Sequence, residues 1–151
     1  MLPAYDRILR QLIEQRVPYR LIRSDLAPVA PLTRQRWLTT VAFHTGRGEW
    51  TLAVIRLGDA IDLTRLALVV GVPPADLSPA SADEARWALG CDPDGLAPIP
   101  PVVRARVIFD EAVTQLDVAW CGSGRCDRTL EIRVRDLLDL TGGRVVRLVR
   151  E

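Results

Sequence analysis

The chain reads as an α+β fold: a single domain over residues 1–151, with a mixed, largely antiparallel sheet and flanking helices. Three observations predict it. Apolar residues at helical spacing mark amphipathic segments near both ends. Strand-like apolar runs fill the middle. The strands are joined by hairpin turns and short connections rather than by regular βαβ alternation. At 151 residues, 48% of them apolar, the chain is long enough to bury one core.

The elements follow in order. Residues 4–16 place Ile8, Leu9, Leu12 and Ile13 on one face of a helix that Val17-Pro18 stops. Tyr19–Ile22 is a short strand, and the proline-punctuated stretch 24–35 is irregular. Trp37–Thr45 and Trp50–Arg56 form a hairpin across Thr45-Gly46-Arg47-Gly48, and Gly58-Asp59 ends the second strand. Leu63–Val70 is a helix closed by Gly71, with Val72-Pro73-Pro74 as a linker. Ser81, with Glu84 three residues on, is a capping box for a helix through Leu89. Val102–Phe109 is a strand, and Asp110 caps a helical turn after it. Val118–Cys121 and Thr129–Val134 are strands, Arg135–Thr141 is a helix stopped by Gly142-Gly143, and Val145–Val149 is the last strand.

Composition excludes several functions. The net charge of +1 is too small for a protein that coats nucleic acid, although a local arginine patch can still meet a tRNA end. The N-terminal segment is charged and amphipathic, and no run approaches the ~20 apolar residues of a membrane span, so the expected setting is cytoplasmic. The three cysteines, Cys91, Cys121 and Cys126, are an odd number and make no secreted disulfide framework. They read as small, partly buried apolar residues. A zinc site with His44 or a catalytic thiol are the alternatives, and no tight Cys-x2-Cys pair supports the first. No cofactor or metal is expected. All twenty basic residues are arginine, so chemistry that needs a lysine amine is closed to this chain.

Two glycine-rich stretches carry the site: Gly90-Cys91-Asp92-Pro93-Asp94-Gly95-Leu96-Ala97-Pro98, and Cys121-Gly122-Ser123-Gly124-Arg125. Glycine lets main-chain amides approach a ligand, so the two loops are expected to wall one pocket and to supply backbone donors to it. Asp92, Asp94 and Asp127 read as turn residues. His44 lies in a strand with its facing open. Arg36 and Arg125 are candidates for binding a nucleotide phosphate. The four tryptophans read as core or interface anchors rather than base-stacking platforms.

Several short motifs follow one another along the chain: Leu12-Ile13-Glu14-Gln15-Arg16-Val17-Pro18-Tyr19, Leu57-Gly58-Asp59 with Asp62-Leu63, Gly90-x-x-Pro93-x-Gly95-x-x-Pro98, Asp110-Glu111, Gly122-x-Gly124 and Asp136-Leu137-Leu138-x-Leu140-Thr141-Gly142. Their order and spacing resemble the YbaK/prolyl-tRNA-synthetase-associated editing domain family. The resemblance implies an aminoacyl-tRNA deacylase that hydrolyses the ester of mischarged tRNA in trans, with the tRNA 3′ end and its amino acid as partner. It implies substrate contacts at Gly90, Gly95, Pro98, Gly122, Ser123 and Gly124. The family's functional lysine falls on Thr39, and a one-residue slip would put it on Leu38 or Thr40. Replacing an ammonium by a neutral hydroxyl costs roughly 1.5–3 kcal/mol of hydrogen bonding, or about ten- to a hundredfold in rate. The family's helix between the first strand and the lysine strand is here shortened to a dozen residues broken by proline. Two other readings remain: a small-ligand or tRNA-end binding module that has lost catalysis, and an interaction scaffold forming a homodimer.

Overall fold

The computed structural model describes residues 3–26, 36–45, 48–100 and 105–150. Its strands are β1 (Tyr19–Arg23), β2 (Leu38–His44), β3 (Trp50–Arg56), β4 (Ser78–Pro79), β5 (Ala105–Asp110), β6 (Val118–Gly122), β7 (Arg128–Arg133) and β8 (Arg144–Val146). Its α-helices are α1 (Ala4–Glu14), α2 (Leu63–Val70), α3 (Ala82–Trp87) and α4 (Val134–Thr141). The sheet expected from the sequence is divided in two, one of order β1-β7-β6 and one of order β4-β2-β3-β5-β8. Neighbours are antiparallel except for β3 with β5 and β5 with β8. The fold is therefore α+β with mostly antiparallel pairing. Among the described residues, no helix is long and apolar enough to cross a membrane.

Two apolar clusters hold the layers together. The larger lies under α1, whose Ala4, Ile8 and Leu12 are buried against Leu38, Ala42, Leu52 and Val54 of the large sheet and Ala119, Leu130 and Ile132 of the small one. The smaller packs Leu66 and Ala67 of α2 on Phe43, Ala53, Ile55 and Ile108, the opposite face of the large sheet. Strand alternation accounts for the division, since successive side chains of β2 and β3 point to opposite faces.

Several boundaries differ from the sequence reading for identifiable reasons. The helix after Ser81 has its capping box but ends at Trp87, not Leu89. Cys91 N–H bonds back to Ala85 O at 2.9 Å while Gly90 takes a φ of +69°, a left-handed termination that leaves no further turn. The last strand stops at Val146 because Leu148 N–H and Val149 N–H both donate to Asp110 Oδ1, at 2.8 and 3.3 Å. Asp110 also caps the 3-10 turn at Glu111–Gln115 by accepting from Ala112 N–H. The short strand β4 was not anticipated; it pairs with the far end of β2. The irregular segment 27–35, the hairpin turn at Gly46-Arg47 and the expected strand start at 102–104 lie outside the described residues.

Candidate functional site

The two glycine-rich loops meet. Asp92 N–H donates to Gly124 O, Gly124 N–H to Gly95 O, and Cys126 N–H to the Asp92 carboxylate, each at 2.8 Å. At this range two of the glycines have no room for a side chain. A Cβ on Gly122 would run into the Leu96 carbonyl, and one on Gly95 would lie 2.6 Å from the Arg125 carbonyl carbon.

Beside this junction the two sheets are joined, among the described residues, by one β-bridge. Trp37 of the chain entering β2 makes a parallel bridge with Trp120 of β6, and Trp120 N–H donates to Arg36 O at 2.9 Å. Beyond the bridge the strands belong to different sheets, and a cleft of about 330 Å³ opens there. Thr39 and Thr40 of β2 line one side and Cys121 and Gly122 of β6 another. Residues 93–96 of the first loop and Arg125 and Cys126 of the second close it, with Ser24, Arg128 and Thr129 also in the lining. The Ser24 and Thr129 hydroxyls are hydrogen-bonded at 3.0 Å, tying the end of β1 to β7.

Of the residues expected from the sequence to meet the substrate, Thr39, Gly95, Gly122 and Arg125 border the cleft. The others have different surroundings. Gly90 ends α3 and its carbonyl accepts from Ala4 N–H at 3.0 Å. Pro98 is buried outside the lining. Ser123 is fully buried, and its Oγ donates to Arg128 O at 2.7 Å, shaping the turn from within. Gly124, at φ +98°, faces α1, where a Cβ would stand 2.9 Å from Tyr5 N. The Arg36 guanidinium lies 5.9 Å from the centre of the Trp120 ring. Each loop thus has two sides, one toward the cleft and one toward α1. Some of the expected backbone donors are committed within the loops themselves. The amides of Asp92, Gly95, Gly124, Arg125 and Cys126 are all engaged in bonds within or between the loops, so they weld the walls rather than serve a ligand.

Comparison with known proteins places this architecture. The family model of the aminoacyl-tRNA editing domain matches residues 21–140. The chain belongs to that family. Proline–tRNA ligases of Xanthomonas campestris pv. campestris and Xanthomonas axonopodis pv. citri are 33% and 34% identical to it over 92 residues. That stretch is 61% of this chain and 16% of each ligase, so the chain spans a small part of the length of the relatives it matches. Among solved structures, a candidate trans-editing enzyme for prolyl-tRNA synthetase superposes with a TM-score of 0.77 at 20% identity, covering all of both chains. A scaffold protein used for computational epitope grafting superposes at 0.83 with 18% identity, covering 100% of this chain and 99% of that one.

In this editing domain the cleft's electrostatics disfavour thiol chemistry. Burial pushes the Cys121 thiol up to about 12. A hydrogen bond with Asp92, and the charge of that carboxylate, raise Cys126 above its ordinary value. Neither supplies a thiolate near neutral pH. At the mouth, Arg125 grips Asp127 through two bonds, Nε to Oδ1 at 2.9 Å and an Nη to Oδ2 at 2.7 Å. The hydrogen bond from Arg125, together with its charge, holds the Asp127 carboxyl below the usual range. Arg128 shares the same carboxylate at 3.4 Å, so two guanidiniums stand against one Asp. His44 pairs instead with Glu84 at 3.1 Å and meets the Trp50 ring edge-on at 5.2 Å, which fastens the hairpin to α3. No group of three or more potential metal ligands is gathered among the described residues.

The sequence reading missed Trp37, Thr129, Ser24 and Arg128 as cleft residues. The signal for Thr40 was present, since strand alternation gives adjacent threonines opposite faces. Nothing local in the sequence brings Ser24 to Thr129, because that contact depends on the register of β1 on β7.

Proposed function

We propose that this chain is a deacylase that hydrolyses, in trans, the ester joining a wrong amino acid to the 3′ end of a tRNA. What carries the reading is the convergence, in a member of the editing-domain family, of both glycine loops and the start of β2 on one cleft. A volume of about 330 Å³ is within the range of small-molecule sites and admits an aminoacyl group with part of its adenosine. The similarity to proline–tRNA ligases and to a candidate trans-editing enzyme supports mischarged tRNA(Pro) as the first substrate to try. Cytoplasm is the compartment where such a substrate is found.

In this reaction water adds to the acyl carbon, the bond from that carbon to the ribose oxygen breaks, and a proton passes to the departing oxygen. The rigid loop weld fixes the cleft's shape, so the ester is held in place without reorganisation. Arg125 and Arg128 bring two guanidiniums to the cleft, beside Asp94 in the lining and paired with Asp127, and a guanidinium is suited to a nucleotide phosphate. With no lysine in the chain, a neutral hydroxyl at Thr39 stands where the family has an ammonium, which suits a slow rather than a fast member of the family. The test incubates purified protein with correctly charged tRNAs and with alanyl-, cysteinyl- and seryl-tRNA(Pro). Release of the amino acid from at least one mischarged species is expected, and release no faster than spontaneous hydrolysis from every species overturns the proposal.

A further inference from the structure

Two hydrogen bonds fix the direction of every amide in β2. Leu57 N–H donates to Trp37 O at 2.8 Å on the β3 side, and Ala80 N–H donates to Ala42 O at 2.8 Å on the other. In an antiparallel pair the residues bonded to the partner strand alternate with residues that turn away from it. Odd-numbered residues of β2 are therefore bonded to β3, while Leu38, Thr40 and Ala42 direct their main-chain groups to the opposite edge. At Ala42 that edge is occupied by the chain leaving β4. At Thr40 it borders the cleft.

The side chain of Thr40 adds a second observation. Thr40 is 7% exposed, and its Oγ1 is shielded from solvent with no hydrogen-bond partner. A buried hydroxyl without a partner is uncommon in a folded protein and is unfavourable. Thr40 stands opposite Val54, on the face that carries Leu38 and Ala42. That face belongs to the cluster containing Cys91, Ala97, Ile99 and Cys121 from the two glycine-rich stretches and their flanks. Thr39 stands opposite Ile55, which belongs to the cluster packed on α2, and Thr39 is only partly buried. Both threonines line the cleft, but only Thr40 combines an edge amide with an orphaned hydroxyl.

We propose that Thr40, not Thr39 at the family lysine position, is the residue that binds the acyl group of the substrate. The carbonyl oxygen of the ester accepts from Thr40 N–H, and a turn about the Cα–Cβ bond lets Oγ1–H donate to the same ligand. These donors add to whatever the loops offer, since the amides of Asp92, Gly95, Gly124, Arg125 and Cys126 are engaged within or between the loops. The inference rests on the deacylase reading and deepens it by naming the group that meets the substrate.

The test exploits opposite signs. Thr40→Val keeps the shape and removes the orphaned hydroxyl. It is expected to raise Tm by about 2–4 °C while lowering ester hydrolysis about ten- to a hundredfold. Thr40→Ser restores the hydroxyl and most of the activity, and Thr39→Val loses less activity than Thr40→Val. A residue needed only for packing would lose stability and activity together, so a lower Tm in Thr40→Val overturns the inference. Unchanged hydrolysis in Thr40→Val, or a larger loss in Thr39→Val, also overturns it while leaving the deacylase reading intact. Binding is measured in parallel as the thermal shift with a 3′-alanylamido-3′-deoxyadenosine probe, whose amide cannot be cleaved by ester hydrolysis. A wild type inert in both hydrolysis and binding overturns the functional reading and this inference with it.

Discussion

Gly122 and Gly71 are both glycines that the fold requires, for opposite reasons. Gly71 closes α2 at φ +86°, with nothing within 4 Å of where a Cβ would stand. Its requirement is conformational, because left-handed backbone is costly for any residue with a side chain. Gly122 has no such dihedral constraint; its requirement is space, since the Leu96 carbonyl occupies the position of a Cβ. Gly95 repeats the second case against Arg125 and Cys126. The difference separates glycines that end elements from glycines that let two loops become one wall. Only the latter border the cleft.

The largest effect is expected from breaking that contact. Gly122→Ala forces the Leu96 carbonyl away, and with it the Gly124 to Gly95 hydrogen bond beside it. The displaced group is backbone rather than a flexible side-chain end, so relief by rotamer change is closed. A loss of at least about 4 kcal/mol is expected, read by urea denaturation, together with loss of the cleft's activity. A variant as stable as wild type would show that the loops are not welded as described.

The glycine motifs were visible in the sequence, but their division of labour was not. Gly90, Gly95, Gly122 and Gly124 look alike in one dimension. The structure gives them a helix end, a loop contact, a second loop contact and a seat against α1. Elements whose cause is local were legible: the capping box at Ser81 and Glu84, the Asp110 cap, the helix stops at Gly71 and Gly142, and the pairing of β2 with β3 as a hairpin. Elements whose cause is distant were not. The partition into two sheets depends on which strands pair across the chain, and the early end of β8 on Asp110, 38 residues before Leu148. The cleft was legible as the meeting of two loops, while its third side required knowing which edge of β2 is left open.

The close approach that excludes a Cβ at Gly122 also excludes water from its neighbour Cys121, which is 1% exposed. This yields a smaller prediction of defined sign. The Cys121 thiol is raised from an ordinary 9.0 to about 12 in the folded chain. Below 9.0 both states hold the proton and stability is unaffected. Between 9.0 and about 12 the unfolded chain gives up the proton first, so stability falls as pH rises. The slope from this group approaches about 1.4 kcal/mol per pH unit. Cys91, raised chiefly by burial, contributes in the same direction. Urea midpoints at pH 8, 9 and 10 are expected to fall more steeply for wild type than for Cys121→Ala. Parallel lines for the two would place the thiol in contact with water and loosen the wall behind the cleft.

Gly71→Ala tests the other half of the comparison and carries the smallest effect. Two contributions oppose each other. Holding a Cβ-bearing residue at φ +86° costs about 1–2 kcal/mol, and the reduced freedom of the unfolded chain returns about 0.4–1 kcal/mol. A net loss of about 1 kcal/mol is expected, or about 2–4 °C in Tm. Gly71 does not line the cleft, so hydrolysis per folded molecule should be unchanged. The diagnostic quantity is therefore the ratio of activity loss to stability loss, near zero for Gly71→Ala and large for Gly122→Ala. If Gly71→Ala impaired hydrolysis as severely as Gly122→Ala at matched folded fraction, α2 and the cleft would have to be coupled through β2, whose two faces carry the two clusters. The distinction between glycines of conformation and glycines of contact would then no longer mark out the site.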